Sequence, residues 1–138
     1  MRILERGAWN ILPCFVIREK LEKMRRIKII ADSGVQMTAE LNESNTADSI
    51  WQGLPIHSVS QRWGDEIYFD IRMQLPPEDA RPDAEPGTIA YWPPGNALCI
   101  FFGQTPYSPV NIVGKLEGDP NAWQDVQAGE FIRIEREE

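Results

Sequence analysis

The sequence predicts an all-β domain, either a barrel or a sandwich, and three observations support this prediction. Short stretches in which apolar and polar residues alternate recur along the chain, and turn residues separate them at close spacing. Only two short stretches carry helix signals. The length of 138 residues is typical of one domain with a substantial core.

The first half of the chain predicts four strands and a helix. Residues 26–31 and 35–41 predict a hairpin around a turn, because Val35, Met37, Ala39 and Leu41 alternate with polar residues. Asn45 or Thr46 is expected to cap a short helix that ends at Gly53 and closes one end of the sheet. Two further strands are expected at residues 58–62 and 66–72.

The second half predicts four more strands and a second helix. We expect residues 73–86 to form a solvated loop, because four prolines stand there among mainly acidic residues. The strands are expected at residues 88–92, 97–102, 110–116 and 130–135. Asp119 and Pro120 form a favourable N-cap and first-turn pair, which predicts a short helix between the last two strands.

Residues 1–23 differ from the rest of the chain. Met24 begins a natural first strand, so we expect the domain to span residues 24–138. The preceding segment is then an upstream extension or the result of a misassigned start, and is expected to be loosely ordered or weakly helical. Residues 8–17 are apolar, but no small-residue cleavage site follows them, so a signal peptide fits poorly.

Charge and cysteine usage exclude several classes of function. The net charge is −7, and residues 24–138 carry nine Lys or Arg against eighteen Asp or Glu, without a basic cluster. Binding to nucleic acid or to an anionic membrane is therefore not expected. Two cysteines do not form a disulfide framework, which predicts a cytoplasmic protein. One histidine and no paired ligand motif predict no metal site, and the absence of a Gly-rich phosphate loop predicts no nucleotide cofactor.

The segment around residue 64 holds three candidate binding residues. Arg62, Glu66 and Tyr68 would offer a cation, an acid and a hydroxyl donor beside a turn. We assign Trp63, in the same segment, to packing. His57 is expected on the surface, because no nucleophile motif accompanies it. Cys99 is expected to be a buried and inert thiol, because apolar residues flank it.

The segment that begins at Tyr91 holds the other candidates. Tyr91 and Trp92 precede a Pro-Pro-Gly corner, in which two prolines fix φ and Gly95 is expected to release it. Phe101 follows in an unbroken apolar run. We expect one cleft lined by all six candidates, because an aromatic wall with a few polar groups is the usual composition of a ligand pocket. The candidates are Arg62, Glu66, Tyr68, Tyr91, Trp92 and Phe101.

Three blocks of the sequence resemble the small bacterial and archaeal cyclophilin-like proteins. The blocks are residues 63–69 (Trp-Gly-Asp-Glu-Ile-Tyr-Phe), 91–106 (Tyr-Trp-Pro-Pro-Gly-Asn-Ala-Leu-Cys-Ile-Phe-Phe-Gly-Gln-Thr-Pro) and 110–115 (Val-Asn-Ile-Val-Gly-Lys). The resemblance implies a closed eight-stranded β-barrel with two capping helices, the fold of the peptidyl-prolyl isomerases. The resemblance does not extend to isomerase activity, because fold does not carry function and the Phe-His-Arg and Gln-Phe-Phe motifs of true cyclophilins are absent here.

Three functions remain open at the level of sequence. The first is a binding domain, without an assigned enzymatic activity, for a small molecule or peptide in the aromatic cleft. The second is a structural role in which the aromatic residues form the interface of a homo-oligomer. The third is a peptidyl-prolyl isomerase, for which Arg62 is the candidate catalytic cation. We rank them in that order.

Overall fold

Within residues 25–137, nine antiparallel strands form one sheet that wraps into a barrel. The structure, a computed structural model, describes residues 25–137, and the predicted N-terminal extension lies outside them. The strands are β1 (Arg25–Ala31), β2 (Gln36–Leu41), β3 (Ile56–Val59), β4 (Gln61–Arg62), β5 (Glu66–Asp70), β6 (Thr88–Trp92), β7 (Ala97–Phe101), β8 (Asn111–Leu116) and β9 (Phe131–Arg136). Their order in the sheet is β3-β9-β1-β2-β8-β6-β7-β5-β4.

The barrel closes at Ser60. The two strands at the ends of the sheet, β3 and β4, are consecutive in the chain and are separated only by this residue. Ser60 is fully buried, and its hydroxyl donates to the carbonyl oxygen of Gln127 at 2.7 Å. One strand therefore bends at Ser60 and pairs first with β9 and then with β5. Counted as one, β3 and β4 give the predicted eight-stranded closed barrel, which is confirmed.

Both predicted helices are present near their expected positions. Helix α1 (Asn45–Gln52) begins earlier than predicted, because its N-cap is Ser44 and not Asn45 or Thr46. The Ser44 hydroxyl accepts from the Ala47 amide at 3.1 Å. Pro120–Asp125 is a 3₁₀ helix, capped as predicted by Asp119. Among residues 25–137, no helix combines the length and apolar character needed to cross a membrane.

The loop of residues 73–86 is attached to the barrel, which corrects the prediction that it is simply solvated. Met73 and Leu75 pack against the main core. The Glu78 carboxylate accepts from the Thr46 amide at 2.8 Å and from the Asn45 amide at 3.0 Å, at the N-terminus of α1. An acidic group at this end of a helix satisfies free amides and complements the helix dipole.

The Pro-Pro-Gly corner joins β6 to β7, but Gly95 does not have the predicted role. Residues Pro93–Gly95 form a 3₁₀ turn, and the left-handed residue is Asn96, with φ of 51°. A Cβ atom at Gly95 would lie 2.5 Å from the Trp92 ring. The glycine therefore allows the indole to lie against the backbone, while the short polar side chain of Asn96 suits the left-handed conformation.

Candidate ligand-binding site

A second apolar cluster lies outside the barrel, on the outer face of β5, β6 and β7. Residues directly across an antiparallel pair share one face, and Glu66 pairs with Phe101 while Cys99 pairs with both Tyr68 and Ala90. Their neighbours in sequence point into the barrel core. The residues buried in the outer cluster are Ala90, Cys99, Phe101 and Val110. They are covered in part by the segment between β7 and β8.

This outer face holds a cavity of about 230 Å³ with aromatic walls. Eight residues of the described range 25–137 line it: Trp63, Glu66, Tyr68, Trp92, Phe101, Pro106, Tyr107 and Val110. The angle between ring planes is 85° for Trp63 and Tyr107, 90° for Tyr107 and Trp92, and 73° for Trp92 and Tyr68. Edge-to-face pairs of this kind are favourable, and here they surround a space instead of forming one flat wall.

Trp92 is held from two sides. Its indole nitrogen donates to the Ser108 hydroxyl at 2.6 Å, which ties the wall of the cavity to the covering segment. The other side of the ring lies against Gly95. An aromatic side chain restrained in this way loses little conformational entropy when a ligand packs against it.

Among these eight described residues, Glu66 is the only one with a carboxylate, and it is 6% exposed. The Cys99 thiol donates a hydrogen bond to it. Burial raises the pKa of Glu66 to about 7, and the hydrogen bond from Cys99 opposes that shift only in part. The pKa of Cys99 is raised well above its ordinary value by burial and by the neighbouring carboxylate. The thiol therefore stays protonated, and its predicted burial and inertness agree with this setting.

The structure brings four of the six predicted site residues to the cavity: Glu66, Tyr68, Trp92 and Phe101. Tyr91 lies elsewhere, because adjacent residues of a strand point to opposite faces. It is fully buried in the barrel core, and its hydroxyl donates to the carbonyl oxygen of Met73 at 2.6 Å.

Arg62 also lies elsewhere. Its guanidinium donates to the carbonyl oxygens of Gly64, Gln124 and Val126 at 2.7 to 3.0 Å. It also lies over the Phe102 ring, 5.3 Å from the centroid. These contacts fix the bend after β4 against the segment that precedes β9, so Arg62 stabilises the barrel instead of lining the cavity.

Four lining residues were absent from the prediction: Trp63, Pro106, Tyr107 and Val110. Trp63, which we assigned to packing, is 41% exposed at the cavity rim, and Tyr107 is 78% exposed. One signal pointed to the covering segment. Every residue of Ala97–Phe101 is apolar, which is typical of a strand buried on both faces. Such a strand needs a cover on its outer side, and the segment that follows it provides one.

His57 is exposed on β3, as predicted. Within residues 25–137, no group of three or more His, Cys, Asp or Glu side chains is arranged to hold a metal ion.

Comparisons with known proteins agree on the architecture. A family model described as Cyclophilin-like matches residues 25–135. The solution structure of the hypothetical protein AF2241 from Archaeoglobus fulgidus is similar, with a TM-score of 0.71 and 34% identity over 83% of this chain and 96% of that chain. The structure of McbB in complex with tryptophan has a TM-score of 0.68 and 22% identity, over 80% of this chain and 44% of that chain. No curated protein matches the sequence.

Proposed function

The chain belongs to the cyclophilin-like family, and we propose that it is a binding protein whose aromatic cavity holds a small molecule or one side chain of a peptide. The observation that carries this proposal is the cavity itself, in which five aromatic rings surround a single buried carboxylate. A mostly apolar concavity with few polar groups is the usual form of a ligand site. An apolar cavity of about 150 Å³ accommodates benzene, so about 230 Å³ is enough for a ring with a short side chain.

A peptide ligand is also compatible with the surrounding surface. A second concavity of about 340 Å³ lies on the other side of the Tyr68 and Trp92 pair, which both spaces share. Asp70 and Arg72 lie along it and would provide polar contacts. A peptide with one side chain in the aromatic cavity could therefore continue across the sheet.

Nitrogen-15 NMR provides the test, because the Trp92 indole N–H lies in the cavity wall. A screen would include aromatic alcohols, proline-containing peptides and aromatic amino acids, with L-tryptophan among the first because the related fold of McbB was solved with it. We expect a true ligand to shift the indole resonances of Trp92 and Trp63. Trp123 is fully buried in the barrel core and serves as the internal control. If the Trp92 resonance stays in place throughout the screen, the proposal fails.

A homo-oligomeric interface is the second candidate, and the 78% exposure of Tyr107 favours it. Large exposed aromatic side chains are common at protein interfaces. Light scattering on the wild type and on Tyr107→Ala tests this function. A wild-type dimer that the substitution dissociates would support it, whereas a monomer at all working concentrations would exclude it.

Isomerase activity has less support, because the Arg62 guanidinium is occupied by three carbonyl oxygens. A protease-coupled assay with a proline peptide tests it, and no acceleration by the wild type would end the idea.

A further inference from the structure

We propose that the ligand of the aromatic cavity is a small organic amine, whose ammonium group pairs with the Glu66 carboxylate while the rings surround its apolar part. This inference rests on the proposed binding function and names the chemical class of the ligand.

The first argument is the charge of the lining. Glu66 is the only charged side chain among the eight lining residues, and none of the eight is basic. Arg62 binds three backbone carbonyls, and Arg81 lies 4.0 Å from Asp83. Arg72 lines the second concavity and is not among the eight residues of the aromatic cavity. An anionic ligand would therefore meet a carboxylate without a compensating cation, whereas an ammonium group would meet its counter-ion.

The second argument is the state of Glu66 without a ligand. A buried carboxylate is costly unless it is paired with a cation or receives strong hydrogen bonds. No Lys or Arg within the described part of the chain forms an ion pair with Glu66, and its side-chain partner is the Cys99 thiol, a weak donor. An ammonium group of a ligand would supply the missing partner.

The third argument is the aromatic lining. Aromatic rings attract cations electrostatically, and the attraction grows when the cation is removed from water. Trp63, Tyr68, Trp92 and Tyr107 turn from one to the next through angles between 73° and 90°. Rings arranged around a space, together with one carboxylate, form the kind of site that suits an ammonium group on an apolar body.

Because the pKa of Glu66 is raised, the affinity for an amine should depend on pH. An ammonium group favours the ionised carboxylate, so amine binding releases a proton when Glu66 is protonated beforehand. The other titratable groups that face Glu66 are the Cys99 thiol from β7 and the phenols of Tyr68 and Tyr107. With a pKa of about 7, the ionised fraction of Glu66 rises about tenfold between pH 6 and pH 8.

Three probes of equal chain length test the proposal: phenethylamine, 2-phenylethanol and phenylacetate. Isothermal titration calorimetry measures the binding of each. At pH 8 we expect the amine to bind at least about tenfold more tightly than the alcohol, which corresponds to about 1.4 kcal/mol, and the acid to bind most weakly. The preference for the amine over the alcohol should fall by about tenfold at pH 6.

Glu66→Gln keeps the shape of the side chain and removes its charge. In this variant we expect the amine and the alcohol to bind alike at both pH values. Glu43→Gln makes the same substitution at an exposed residue and should keep the preference.

Two results would overturn the proposal in different ways. If the alcohol binds the wild type as tightly as the amine, or if the preference survives in Glu66→Gln, the amine assignment is wrong and the binding function stands. If none of the three probes binds and no member of the wider screen shifts Trp92, the binding function itself is wrong.

Discussion

Replacing Glu66 with glutamine should stabilise the ligand-free protein above pH 7. The pKa of Glu66 is about 7 in the folded protein, against an ordinary value of 4.5. The folded state therefore binds more protons than the unfolded state between these values. The contribution of protonated Glu66 to the free energy of unfolding is fully present below pH 4.5 and is lost as the pH rises through 7. Glutamine is neutral at every pH and can still accept the hydrogen bond from Cys99, so the variant does not suffer this loss.

The size of the effect follows from the shift in pKa. About 2.5 units at 1.36 kcal/mol per unit give a difference of about 3 kcal/mol in the free energy of unfolding once Glu66 is fully ionised. The carboxylate of Glu66 lines a cavity that is open to solvent, so solvent screening lowers this value, and about 3 kcal/mol is the upper end of the expected effect. A difference of this size is a large part of the stability of a typical small domain.

Urea unfolding followed by circular dichroism at pH 5 and pH 8.5 measures the effect. We expect Glu66→Gln and the wild type to differ by less than about 1 kcal/mol at pH 5 and by about 2–3 kcal/mol at pH 8.5. Glu43→Gln, which removes an exposed charge, should stay within about 0.5 kcal/mol of the wild type at both. An advantage of Glu66→Gln that is absent at pH 8.5, or equal at both pH values, would refute the reasoning.

Three other substitutions separate the cavity from the core. Gly95→Ala should displace the Trp92 ring, since the new Cβ would lie 2.5 Å from it. We expect this variant to bind the ligand at least about tenfold more weakly in calorimetry. Tyr91→Phe should lower the urea unfolding free energy by about 1–3 kcal/mol, because the hydroxyl that bonds the segment after β5 is lost, and leave the Kd unchanged. Asn111 is buried and bonded to α1 and to the 73–86 loop. Asn111→Ala should therefore lower the urea unfolding free energy by at least about 2 kcal/mol, while the NMR spectrum should still show the family fold.

The sequence predicted most strands because alternation of apolar and polar residues reports directly which face is buried. Residues Thr88–Trp92 were predicted with correct bounds, and the eight expected strands are all present. The break at Ser60 was not predicted, since it depends on bonds to Gln127 and Glu130, about seventy residues away in the chain. Contacts of this kind leave no local pattern in the sequence.

The site was predicted only in part, for a different reason. Side chains alternate between the two faces of a strand, so Tyr91 and Trp92 point in opposite directions, yet we placed both on one wall. The same alternation agrees with the predicted grouping of Glu66 with Tyr68. Tyr107 could not be placed from sequence, because it lies in an irregular segment where no periodicity fixes the direction of a side chain. Only the unbroken apolar strand β7 indicated that something must cover the outer face.

The loss of stability caused by the ionised Glu66 carboxylate allows a ligand site to be distinguished from a packing defect. If the cavity were only a defect under a surface segment, a neutral residue at position 66 would stabilise the protein and change nothing else. If the carboxylate serves an amine, the same substitution should raise stability and abolish the preference for the cation, which is the usual opposition between stability and function at a binding site. Phenethylamine should then stabilise the wild type more than Glu66→Gln at pH 8.5, because only the wild type gains a partner for a buried charge. Thermal unfolding of both proteins with and without the amine measures this difference, and an equal shift of Tm in the two would leave Glu66 without a role in binding.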